Sequence, residues 1–173
     1  MIEIEKTYLA KYFPDDLIEH KSKEIIDVYT PNNGQHPCLR IRKNGDRFEI
    51  TKKKPAREGD SSVQIEQTIP LTEEEFNSLQ KVEKIKLAKT RFIYPIENGI
   101  AEFDIFQDEL AGLVLIDVEF KTEDTKNDFQ MPDFCLAEVT QEKFIAGGEL
   151  YGKKYTDIEE NLKKYNYKKL SLN

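Results

Sequence analysis

Seven stretches of this 173-residue chain place charged or polar side chains two residues apart, with mostly apolar residues between them. Glu3 and Glu5 flank Ile4. Arg40 and Arg42 flank Ile41. Arg47, Glu49, Thr51 and Lys53 alternate with Phe48 and Ile50. Gln64 and Glu66 flank Ile65, Lys89 and Arg91 flank Thr90, Glu102 and Asp104 flank Phe103, and Asp117 and Glu119 flank Val118. In an extended strand, residues i and i+2 share a face. One such strand is an ordinary half-buried strand with a wet face. The set asks for more, because like charges side by side repel and solvent faces usually mix their signs. Clustered carboxylates suit a hard divalent cation such as Mg²⁺ or Mn²⁺, which takes oxygen ligands. Clustered Arg and Lys suit phosphate oxygens, Arg as a bidentate fork and Lys as a point charge. Both sets inside one closed sheet would make a site for a metal-bound polyanion, which is phosphoryl chemistry in outline.

The elements that must position these residues are mainly strands. Strand-like runs cover Ile2–Leu9, Ile25–Tyr29, Cys38–Arg42, Arg47–Lys53, Val63–Ile69, Lys86–Tyr94, Ile100–Gln107 and Leu113–Phe120. Asn32-Asn33-Gly34 and Asn98-Gly99 read as turns, the second as a hairpin. Lys52–Gly59 reads as a loop and Lys121–Pro132 as a polar connection. Capping-box spacing predicts helices after Thr72 (Glu75 three residues on) and after Thr156 (Glu159 three residues on). Shorter helices are predicted over Asp15–Lys21 and Gln141–Gly147. The fold class is then α+β: an antiparallel sheet curled into a barrel, with a few peripheral helices.

Composition narrows the field. The length suits one domain spanning 1–173. No apolar run approaches the ~18 residues of a spanning helix. No leader is visible before Ile2-Glu3-Ile4, so a reduced cytoplasmic setting is expected. Cys38 and Cys135 read as small core fillers, and His20 and His36 lack neighbours at zinc-ligand spacing. Tyr151, Tyr155, Tyr165 and Tyr167 read as packing residues, and the Lys163-Lys164 and Lys168-Lys169 pairs as a solvated face. The formal charge of −7 speaks against nucleic acid and anionic membranes as partners.

The motifs in order resemble the CYTH-domain proteins of the triphosphate tunnel metalloenzyme superfamily. They are Glu3-Ile4-Glu5, Leu39-Arg40-Ile41-Arg42, Thr51-Lys52-Lys53, Glu66 before Ile69-Pro70, Lys89-Thr90-Arg91, Glu102-Phe103-Asp104-Ile105-Phe106, Gly112-Leu113, Asp117-Val118-Glu119-Phe120 and Glu138-Val139-Thr140. The resemblance implies a closed eight-stranded antiparallel tunnel with a charged interior, acting on a small triphosphate with Mg²⁺ or Mn²⁺. It implies that Glu3, Glu5, Asp104, Asp117 and Glu119 hold metal, and that Arg40, Arg42, Lys53, Lys89 and Arg91 bind phosphate. Glu5, Lys53 and Arg91 are expected nearest the chemistry, with Glu66, Glu102 and Thr7 supporting. By the residues alone, Asp104 reads either as a ligand or as a salt-bridge partner of Arg91 or Lys89. Gln64 competes with Glu66 for the inward role, and a register slip would exchange Lys53 for its neighbours.

The family's Glu-x-Glu-x-Lys pattern is broken here: Thr7 stands at the Lys position and Lys6 comes one residue early. Three ways round the loss are a bulge turning Lys6 inward, substitution by Lys153 or Lys154, or altered activity. Gly147-Gly148 stands where an Asn is common. Tripolyphosphate hydrolysis is the leading expectation. The alternatives are class IV adenylate cyclisation, or nucleotide or polyphosphate binding without turnover. A monomer or homodimer is expected.

Overall fold

Aliphatic and aromatic residues at every second position fit a pleated sheet with one buried face, and that pattern builds the barrel. The computed structural model describes residues 1–31, 39–82, 85–97 and 99–172. Its long strands are β1 (Ile2–Ala10), β2 (Ser22–Thr30), β3 (Leu39–Asn44), β4 (Arg47–Arg57), β5 (Asp60–Leu71), β6 (Leu87–Ile96), β7 (Gly99–Phe106) and β8 (Val114–Phe120). They run antiparallel in the order β5-β4-β3-β2-β6-β7-β8-β1. β1 then pairs with β5 through Ile2–Ile65, Glu3–Gln64 and Ile4–Val63, which closes the expected eight-stranded barrel. A short β9 (Cys135–Glu138), absent from the sequence reading, pairs with Tyr8–Ala10 of β1.

Four expectations are corrected. Lys52–Gly59 is not a loop: β4 runs on to Arg57, and only Glu58 and Gly59 turn the chain, with Gly59 at φ +77°. Pairing outweighs the breaker composition, and an irregular register between Pro55 and Arg57 accommodates the proline, which has no N–H to donate. The last long helix, α4 (Tyr155–Lys163), is capped not by Thr156 but at Lys154, whose N–H donates to Asp157 Oδ2 at 2.8 Å. Tyr155, Ile158 and Leu162 form its buried stripe, so the helix must begin early enough to include Tyr155. The Lys121–Pro132 connection contains a helix, α2 (Glu123–Asp128), capped by Thr122. The predicted Asp15–Lys21 and Gln141–Gly147 helices shrink to 3₁₀ turns at Leu17–Glu19 and Lys143–Ile145, the latter followed by α3 (Gly147–Leu150). The Asn32-Asn33-Gly34 turn, Cys38, His36 and Asn98 lie outside the described residues.

The Thr72 capping box is present: Thr72 Oγ1 accepts from Glu75 N, and Glu75 Oε2 accepts from Thr72 N. It starts α1 (Glu73–Leu79), which packs Phe76 against Phe48, with ring centroids 5.1 Å apart. Among the described residues, two apolar clusters hold the barrel. One covers the outer side of β1, β6, β7 and β8, where Tyr8, Phe92, Phe103, Ile116 and Val118 meet Leu17 and Cys135. Burial there pushes the Cys135 thiol up to about 12, as suits a filler. The other contains Leu9, Tyr29, Leu87, Phe106 and Leu115, which share the inner face with the charged residues. They pack with Leu150, Tyr151, Tyr155, Ile158 and Leu162 of the C-terminal segment. That packing gives the tunnel an apolar floor at one end. No helix among the described residues is long and apolar enough to cross a membrane.

A charged tunnel as the candidate active site

Every residue expected to face inward from strand alternation lies on the inner face. Register sets the acidic wall: Glu5 faces Glu119 and Thr7 faces Asp117 across β1–β8, and Asp117 faces Glu102 across β7–β8. The basic wall is Arg40 and Arg42 on β3, Lys53 on β4, and Lys89 and Arg91 on β6. The two walls interlock. Lys53 Nζ reaches β1, 2.7 Å from Glu5 Oε1 and 2.5 Å from Glu3 Oε2. Arg91 donates to Asp104 through Nε and Nη2, both at 2.6 Å, pairs with Glu102, and reaches Asp117 Oδ2 at 3.2 Å. Lys89 also pairs with Asp104. Asp104 is therefore embraced by the basic wall, in the salt-bridge arrangement with both Lys89 and Arg91. Glu66 accepts from Thr68 Oγ1 at 2.9 Å and lies 3.8 Å from Arg40, so it supports the basic wall; Gln64, also inward, bonds the Ser61 carbonyl.

Thr7 donates to Asp117 Oδ1 at 2.7 Å, holding that carboxylate from one side while Arg91 holds it from the other. None of the suggested lysines fills its place. Lys6 points outward to Glu138, 3.3 Å away, and the irregularity in β1 lies between Leu9 and Ala10. Lys153 and Lys154 pair with Glu149 and Glu109.

The electrostatics divide along the same walls. Burial pushes the Glu5 carboxyl up to about 7; Lys53 opposes the rise, while Asp117 and Glu3 add to it. Burial likewise raises Glu119, helped by Glu102 and Glu3, and raises Glu102 against the pull of Arg91. On the other wall burial would raise Asp104, but Arg91 and Lys89 outweigh it and hold the group far below the carboxylate range. Burial lowers the Lys89 ammonium, with Arg91 and Arg42 adding to the effect.

The acidic wall suits a hard divalent cation. Glu5 and Glu119 oppose each other directly, an arrangement that repels when both are ionised and that a cation or a shared proton relieves. Glu3 Oε2 is buried and accepts no well-aligned hydrogen bond despite the nearby ammonium. Among the described residues no three carboxylates converge at ligand spacing. Lys53 sits between Glu3 and Glu5, and Arg91 draws Glu102 and Asp117 toward itself.

Sequence reasoning missed the inner face of β2. Asp27 pairs with Arg42, and the Tyr29 hydroxyl accepts from Arg40 Nη1 at 3.3 Å. Lys23, Ile25, Asp27 and Tyr29 do alternate, but they mix charge types, so no like-charge pair marked the strand.

Comparison with known proteins agrees with this geometry. The CYTH domain family model matches residues 1–142. The inorganic triphosphatase of Nitrosomonas europaea is 32% identical over 145 residues, 83% of this chain and 92% of its own length. The crystal structure of the inorganic triphosphatase NE1496 superposes with a TM-score of 0.63 at 26% identity, covering 86% of this chain and 93% of that one. The PH1012 protein of Pyrococcus horikoshii OT3 shares the fold at 19% identity, with a TM-score of 0.52 over 72% of this chain and 84% of its own.

Proposed function

The chain belongs to the CYTH domain family, and on that premise we propose that it is a metal-dependent triphosphatase whose substrate is inorganic tripolyphosphate. One observation carries the reading: an acidic and a basic wall face each other inside a single closed barrel, above an apolar floor. Arg40 and Arg42 grip phosphate oxygens, and Lys89 and Arg91, held by Asp104, stabilise the negative charge that builds on the departing phosphate. Lys53 bridges from the acidic wall to the phosphate chain. Glu3, Glu5, Asp117 and Glu119 would hold Mg²⁺ or Mn²⁺, which supplies Lewis-acid polarisation of phosphoryl oxygens and a more acidic water. Thr7 keeps Asp117 turned to that wall, and Glu66 braces Arg40. Asp104 we assign to the basic wall rather than to the metal. Leu9, Phe106 and Leu115 line one end of the inner face with apolar side chains.

The test is a phosphate-release panel with tripolyphosphate, thiamine triphosphate and ATP, each with Mg²⁺ and with Mn²⁺. Fastest metal-dependent release from tripolyphosphate is expected. Conversion of ATP to cAMP and pyrophosphate would replace the reading with a cyclase, and tight tripolyphosphate binding without release would replace it with a binding protein.

A further inference from the structure

The basic wall contains a buried acid whose partner is one of the phosphate-facing arginines. Asp27 on β2 faces Arg42 directly across the ladder and is 1% exposed. Arg42 donates from Nε to Asp27 Oδ1 at 2.6 Å and from Nη2 to Oδ2 at 2.7 Å. Glu49 faces Arg42 from the other neighbouring strand, yet the fork is turned to Asp27. Asp104 grips Arg91 by the same two nitrogens. Such side-on docking uses two of the five guanidinium N–H groups and leaves the rest on the opposite edge.

We propose that Asp27 is a positioning residue for the phosphate site, locking the Arg42 fork so that its remaining donors meet a triphosphate already oriented. This rests on the triphosphatase reading. An unrestrained arginine loses side-chain freedom when it takes up phosphate, whereas a docked one has lost it on folding. A bare carboxylate so near a polyanion would repel it. Burial would raise the Asp27 carboxyl, but Arg42, then Arg40, hold it down to about 2, so its charge stays paired.

The test compares wild type, Asp27→Asn, Arg42→Ala and the double variant, each checked for a cooperative melting transition. Steady-state rates with tripolyphosphate are measured beside its affinity by calorimetry. Asp27→Asn should raise KM about 10- to 100-fold, with a smaller change in kcat and a matching loss of affinity. The double variant should be no worse than Arg42→Ala, because Asp27 acts through Arg42. A wild-type KM in Asp27→Asn, or losses that multiply in the double variant, overturns the proposal. If Asp27→Asn does not fold, Asp27→Leu/Arg42→Met is compared with Arg42→Met: equal or higher affinity supports the proposal and a further loss overturns it. If the wild type binds tripolyphosphate but releases no phosphate, the hydrolase reading fails and the calorimetry still decides Asp27. If the wild type does not bind it, both fall.

Discussion

Glu5 faces Glu119 across the β1–β8 ladder, and burial pushes its carboxyl up to about 7. Only the ionised group can hold a metal, so protons and cation compete there. Metal-dependent phosphate release should fall as pH drops through about 7, and more Mg²⁺ should move that limb to lower pH. A limb that ignores Mg²⁺ concentration would contradict Glu5 as a ligand. Asp27 runs the other way. Its folded value of about 2 lies below the ordinary carboxylate value, so its stabilisation is complete above about pH 4 and is lost as pH falls toward 2. The amount is about 2 kcal/mol. Urea unfolding between about pH 5 and 2 should show a shallower acid loss in Asp27→Leu/Arg42→Met than in wild type. An unchanged slope would contradict the pairing. The inward residues were legible because strand alternation has period two and the buried outer face pins the register. The pairings were only half legible: the residues offered Asp104 either as a ligand or as a partner of Arg91 or Lys89, and nothing in Lys89-x-Arg91 or Glu102-x-Asp104 chose between the two.

At the scale of elements, local signals succeeded where one short-range interaction decides the outcome, as in the Thr72–Glu75 capping box. They failed where long-range packing decides. β4 crosses a Lys- and Pro-rich tract because β5 pairs with it, and α4 starts at Tyr155 because that ring is needed in the tunnel floor. The same floor explains Gly147. A Cβ there would lie 2.1 Å from Tyr29 Oη and 3.0 Å from its Cζ. Gly147→Ala should therefore cost about 1–3 kcal/mol of stability, by overpacking. Much of that loss should return in Gly147→Ala/Tyr29→Phe, measured by denaturant unfolding. An equal loss in both backgrounds would place the strain elsewhere.

Across the whole molecule, a formal charge of −7 encloses a wall of Arg40, Arg42, Lys53, Lys89 and Arg91. Net charge disfavours extended polyanions at the outer surface but says nothing of a short one inside a barrel. Closure gives the charged faces their meaning, because the same residues on an open sheet would be solvated and screened. The closing contact is short, Ile2–Ile4 on Val63–Ile65 extended by Met1 on Glu66, and β9 takes over along Tyr8–Ala10. Neither could be read from the sequence, since pairing partners so far apart leave no local pattern. If the opposed walls form one metal-dependent triphosphatase site, activity must need both the metal and the acidic wall. Phosphate release from tripolyphosphate, with Mg²⁺ and with chelator, by wild type and Glu119→Ala tests it most directly. Chelator should abolish release, and Glu119→Ala should lower it by about two orders of magnitude or more. Release that survives chelator, or near-wild-type release by correctly folded Glu119→Ala, would contradict it.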